Sequence, residues 1–185
     1  MSRRILICPI GHVEESIIEL VAKRIQLWCQ VPCEILSTVE TPYFAHDKNR
    51  SQYNASLILK RIGHRRSSAF RIVGVASVDL FVPILKYVYG LAQIEGQCAI
   101  ISLHRLLPQF YDELPDADLL ASRIEKTVLH EFAHTLGMIH CRDKKCTMYA
   151  STRIADTDFK KSFFCPTCRT LFEWHLLRSL KQAAP

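Results

Sequence analysis

The chain has 185 residues, 49% hydrophobic and 23% charged, a composition that fits one domain with a filled core and excludes an intrinsically disordered chain. No stretch approaches the roughly 18 to 20 uninterrupted apolar residues of a membrane span, and the basic opening "MSRRILICPIGH" is cut at Pro9, too early for a signal-peptide core. The net charge of +6 gathers at Lys60, Arg61, Arg65 and Arg66 and at Lys144, Lys145, Lys160 and Lys161, which reads as solvated surface, with a nucleic-acid face as the rival meaning.

"RRILICPIG" predicts a strand buried on both faces. In "EESIIELVAKRIQLWC" the residues Ile17, Leu20, Val21, Ile25 and Trp28 recur at helical spacing, behind two glutamates that suit a helix N-terminus. "CEILSTV" predicts a second strand, "QYNASLILKRI" a second helix, "FRIVGVASVDLFV" a third strand, "KYVYGLAQ" a short edge strand and "CAIISL" a further strand. Strands alternating with helices predict an α/β sheet over about the first 105 residues. A long helical pattern then runs from Leu119 to Leu136, with Asp116 or Asp118 available as its cap.

Within that pattern His130 and His134 are four residues apart, so both imidazoles project from one helix face and can grip one ion, with Glu131 beside them in the H-E-x-x-H arrangement. The glutamate is placed to take a proton from a bound water instead of ligating the metal. Gly137 can end the helix in a left-handed turn that brings His140 back as a third ligand. Three neutral imidazoles leave a tetrahedral zinc one open position, as expected of a catalytic site.

A second constellation follows. Cys141 and Cys146, then Cys165 and Cys168, form two short-spaced pairs that match a closed structural zinc site. Because His140 and Cys141 are adjacent, the two sites are expected to be coupled. Closely spaced cysteines in a cytoplasmic chain favour metal over disulfides, and a cytoplasmic protein is expected. Cys8, Cys29, Cys33 and Cys98 read as buried thiols, and His12, His46, His64, His104 and His175 as surface or capping residues.

Taken together, the run from His130 to Cys168 and the upstream "RSQYNAS", "VDLFVPILKYVYGLA" and "AIISLHRL" resemble the archaemetzincins, a small family of metzincin metallopeptidases. The resemblance covers most of the chain from about Arg50 onward. It implies a metzincin-like twisted mixed β-sheet with flanking helices, a zinc-binding active-site helix and a C-terminal four-cysteine zinc subdomain. One domain spans 1–185, with an upper part of about 1–137 and a lower zinc-binding part of about 138–185. The family pattern assigns Met148 to the Met-turn, a methionine floor beneath the catalytic zinc. Tyr149 directly follows Met148, a register that differs from metzincins with a tyrosine near the metal, so packing is its expected role.

The implied function is a monomeric zinc peptidase that binds two Zn2+, with Glu131 moving the proton and a peptide or protein as substrate. The segment 88–93 is expected at the cleft rim, pairing with an extended peptide. Endopeptidase and aminopeptidase activities both fit, the latter needing an acid for the substrate amine, with Asp79, Glu95 or Asp143 as candidates. The alternatives are a zinc-stabilised interaction protein without peptidase activity, and nucleic-acid binding through the lysines near the cysteines, where Phe159, Phe163 and Phe164 read better as packing.

Overall fold

The computed structural model describes residues 2–65 and 69–182. Strand β1 (Ser2–Ile10) alternates its side chains between two cores, Ile5 and Ile7 facing one and Leu6 and Cys8 the other. Such a strand must be covered on both faces. Helix α1 (Glu15–Cys29) buries Ile18, Val21, Ile25 and Cys29 as one stripe against the first face and delivers the chain to β2 (Cys33–Ile35).

After β3 (His46–Asp47) and β4 (Gln52–Asn54), the second face is covered by α2 (Ala55–Arg65) through Ile58, Leu59 and Ile62. The Asn54 side chain starts α2, accepting from the backbone N–H groups of Ser56 and Leu57. Strands β5 (Ala69–Ala76), β6 (Leu80–Phe81), β7 (Gly90–Ala92) and β8 (Cys98–Ser102) follow. The main sheet has the order β2-β1-β5-β8-β7, parallel throughout except for β7, which runs antiparallel along β8 at the edge. Strands β3, β4 and β6 make a second small sheet.

The mixed α/β architecture matches expectation, with local differences. "FRIVGVASVDLFV" splits into β5 and β6, because Ser77 N–H donates back to Ile10 while Val78 and Asp79 are held by Ser102 and Arg105, which steers the chain into the other sheet. Pairing in "CEILSTV" stops at Ile35, apart from a single bridge between Val39 and Ile10. The edge strand in "KYVYGLAQ" is present as β7.

Helix α3 (Ala117–Thr135) starts with Asp116 accepting from the N–H of Leu119 and packs under the sheet with α1. Helices α4 (Ile154–Phe159) and α5 (Pro166–Gln182) complete the chain and were not predicted. Helix α5 buries only Cys168, Phe172 and Leu176, a stripe too narrow to stand out in sequence. Arg123 is 1% exposed and fastens α4 to α3 by a two-pronged pair with Asp158, at 2.7 and 2.8 Å. No helix among the described residues is long and apolar enough to cross a membrane. Of the first basic cluster, Arg66 and the side chain of Arg65 lie outside the described residues.

Candidate metal centre and cleft

The end of α3 builds the histidine cluster. Gly137 adopts φ +103°, a left-handed conformation that glycine takes without a side-chain penalty. Its N–H donates to the carbonyl of His134, and that of Met138 to the carbonyl of Ala133, the paired bonds that close a helix C-terminus. This turn presents the Met138 carbonyl to His134 Nδ1 at 2.7 Å, while the Thr147 carbonyl meets His130 Nδ1 at 2.9 Å. A carbonyl only accepts, so both Nδ1 atoms carry the proton and both Nε2 atoms present lone pairs. The rings of His130 and His140 stack at 5.2 Å, and His140 also meets His134 edge-on at 4.9 Å.

The two Nε2 atoms face each other at 3.1 Å, a repulsive arrangement unless a cation lies between them. Tetrahedral zinc with its usual nitrogen distances would hold them about 3.3 Å apart. The ligand atoms of the three histidines all lie within 4.8 Å of one another. Each imidazole is pushed toward its neutral, metal-binding form, by burial first and by the Lys160 ammonium in the same direction. Carbonyl-oriented rings with converging lone pairs fit a metal ion.

The four cysteines also converge within 4.8 Å, with Cys141 and Cys165 Sγ atoms 3.9 Å apart. That spacing is far from a disulfide and close to the about 3.8 Å edge of a tetrahedral zinc–thiolate site. Backbone N–H groups of Asp143 and Cys165 donate to the sulfurs of Cys141 and Cys146, as suits thiolates. Met148 is fully buried in the same core cluster as Cys146. Its carbonyl accepts from the N–H of Cys141, joining the loop of one site to that of the other.

The histidines open into a cavity of about 630 Å³ whose walls include Leu85, Tyr87, Leu91 and Ile94 and whose floor includes Glu131 and Lys160. Glu131 is 8% exposed, and burial lifts its carboxyl to about 8, with Lys160 opposing the rise. Its side chain lies flat on the backbone of Gly90 in β7. A Cβ there would stand 2.5 Å from Glu131 Cγ and 2.8 Å from the Ile100 carbonyl oxygen. Swinging Glu131 aside relieves only the first clash, since the second is with the main chain of β8. Gly90→Ala is therefore expected to disturb the β7–β8 pairing and displace Glu131, lowering the melting temperature by several degrees. Thermal unfolding checks this, and a wild-type melting temperature would show the close packing to be irrelevant.

Several sequence expectations need correction. Lys160, grouped with surface lysines, is 3% exposed, its Nζ donates to the Tyr149 carbonyl, and burial lowers its pKa to about 8. Phe159 and Phe163 are exposed, the Lys161 ammonium lying over the Phe163 ring at 5.0 Å, and Phe164 packs against Phe172. The candidate amine-binding acids are elsewhere: Asp79 is locked by Arg105 at 2.7 Å on both oxygens, Glu95 pairs with Arg178, and Asp143 accepts from the N–H of Lys145. None of them lines the cavity. Cys8, Cys29 and Cys98 are buried and Cys33 half-buried, with burial raising the thiol pKa of Cys29, Cys33 and Cys98. Of the remaining histidines, His46, His104 and His175 pack against aromatic rings.

A profile of peptidase family M54 matches residues 10–173. The archaemetzincin of Methanocaldococcus jannaschii is 38% identical over 168 residues, covering 91% of this chain and 92% of its own, and that of Pyrococcus furiosus is 34% identical, covering 96% of each. Among solved structures, an archaemetzincin from Methanopyrus kandleri aligns with TM-score 0.80 and 29% identity over 97% of both chains. One from Archaeoglobus fulgidus, complexed with malonate, aligns at 0.79 and 26% identity over 90% of this chain and 98% of that one.

Proposed function

The chain belongs to peptidase family M54, the archaemetzincin zinc metallopeptidases, and from that premise we propose that His130, His134 and His140 hold a catalytic zinc, with Glu131 as its general base. The observation that carries this reading is the convergence of two unprotonated Nε2 atoms at 3.1 Å, on one side of a cavity that also contains the Glu131 carboxylate. A zinc ion held there acidifies water and polarises a peptide carbonyl.

The chain's own groups do the rest. The carbonyls of Thr147 and Met138 fix the two helical imidazoles. Glu131, whose side chain makes no hydrogen bond to other described residues and whose ionised form Lys160 and a bound zinc would favour, takes the proton of the attacking water and passes it to the leaving amine. Ladder alternation along β7, with the carbonyl of Tyr89 and the N–H of Gln93 turned to β8, leaves the polar groups of Gly90 and Ala92 facing the cleft. An extended peptide pairs with them as an added strand.

In the same reading, Met148 forms the floor under the histidine site, the four cysteines hold a second, structural zinc, and residues 138–185 make the lower part of a single domain. One chain supplies every ligand, which suits a monomer, and thiolate ligands suit a reducing cytoplasm.

Zinc-loaded protein incubated with a diverse peptide library, the products identified by mass spectrometry, is expected to cut and so reveal bond preference. Cleavage should disappear with a chelator and return with zinc. Intact peptides at verified zinc content would sink the peptidase reading and favour a zinc-stabilised interaction protein.

A further inference from the structure

A lysine is seldom buried without an anion to meet it. Lys160 is 3% exposed, lines the same cavity as Glu131 and the three histidines, and makes one hydrogen bond, to the Tyr149 carbonyl at 3.1 Å. An ammonium has three donors, so two are left over. Glu131 in the same cavity favours its charge, but no described carboxylate lies within 4.0 Å to pair with it directly.

The lysine is also firmly placed. Asp158, two residues earlier, is gripped by Arg123, which itself donates to the Leu106 carbonyl, and Lys126 donates to the Asp158 carbonyl. The cavity walls around it are otherwise largely apolar, and the only acid among the lining residues is Glu131. A substrate amine therefore has no dedicated partner in the cavity, whereas a carboxylate has one.

We infer that Lys160 receives a carboxylate of the peptide next to the bond that is cut, making this a peptidase selective for acidic substrates. The carboxylate is either an Asp or Glu side chain or the C-terminus of the substrate. The inference rests on the peptidase reading above. It makes Lys160 a specificity residue whose two spare N–H donors are taken up directly only when the right substrate fills the cavity.

The test measures binding without turnover, in zinc-loaded Glu131→Ala protein by calorimetry. Peptides are built on the sequence that the library experiment selects, with Glu or Gln at each position flanking the bond, and each as free acid and as C-terminal amide. One carboxylate is expected to bind about ten- to a hundred-fold tighter than its uncharged counterpart, the gain for a buried charge-assisted hydrogen bond. A gain from Glu over Gln identifies a side chain, and a gain from acid over amide identifies the terminus. Adding Lys160→Met should erase that difference at unchanged zinc content.

Equal binding of all four forms would overturn the inference, as would a Lys160→Met protein that loses affinity for acidic and neutral peptides alike, because a purely structural lysine would do that. Failure of every peptide to bind would remove the peptidase reading as well, so the two failures are distinguishable.

Discussion

Glu131→Ala protein, loaded with zinc to the wild-type level, is expected to cleave peptides about 10³-fold more slowly, in the middle of the range for loss of a general base. The ligand imidazoles do not lean on Glu131: their orientation comes from the carbonyls of Thr147 and Met138. Metal binding should therefore survive the substitution while proton transfer does not. The cavity offers no replacement carboxylate, since apart from the candidate ligands its other titratable side chains are Lys86, Tyr87, Tyr89 and Lys160. Metal content by elemental analysis and kcat/KM on one library-selected peptide provide the check. A rate near wild type would mean that the proton moves by another route, and a loss of zinc in step with the loss of rate would make Glu131 a ligand.

What could be read from sequence, and what could not, divides by the range of the interactions involved. The histidine cluster is legible because its determinants are local: a four-residue helical repeat, then a glycine that closes the helix, all within eleven residues from His130 to His140. The long helix was legible as well, and of its two candidate caps, Asp116 and Asp118, the first is the one used. Lys160 was not. Beside Lys161 it looks like any solvated basic pair, and its burial follows from the Arg123–Asp158 clasp, which joins residues 35 positions apart. Gly90 was equally silent, because its lack of a side chain matters only once α3 lays Glu131 across β7. The split of the third predicted strand has the same origin: the apolar run that reads as one strand is redirected at Val78 and Asp79 by Ser102 and Arg105, contributed from β8 and the segment after it.

Removing one cysteine should damage more than the cysteine site. Cys165→Ser is expected to abolish tight metal binding by the four-cysteine cluster and to weaken zinc at the histidine cluster by about 10- to 100-fold, the usual cost of disturbing the groups that orient metal ligands. The route runs through the loop between the sites. Cys165 N–H donates to Cys146 Sγ, and the next residue, Thr147, supplies the carbonyl that holds His130. Thr147 is in turn braced by the carbonyls of Lys161 and Phe163, just ahead of Cys165, while His140 is bonded directly to Cys141, whose N–H is tied to Met148. Loosening the cysteine cluster thus releases an orienting carbonyl and the third imidazole together. It should also lower the melting temperature, because metal binding free energy at a closed thiolate site is folding free energy. Cobalt substitution separates the two sites, since thiolate-to-metal charge transfer reports the cysteine site alone and chelator competition reports the remaining ion. Loss of the charge-transfer band with unaltered affinity at the histidines would show the sites to be energetically independent, and the loop between them to be only a tether.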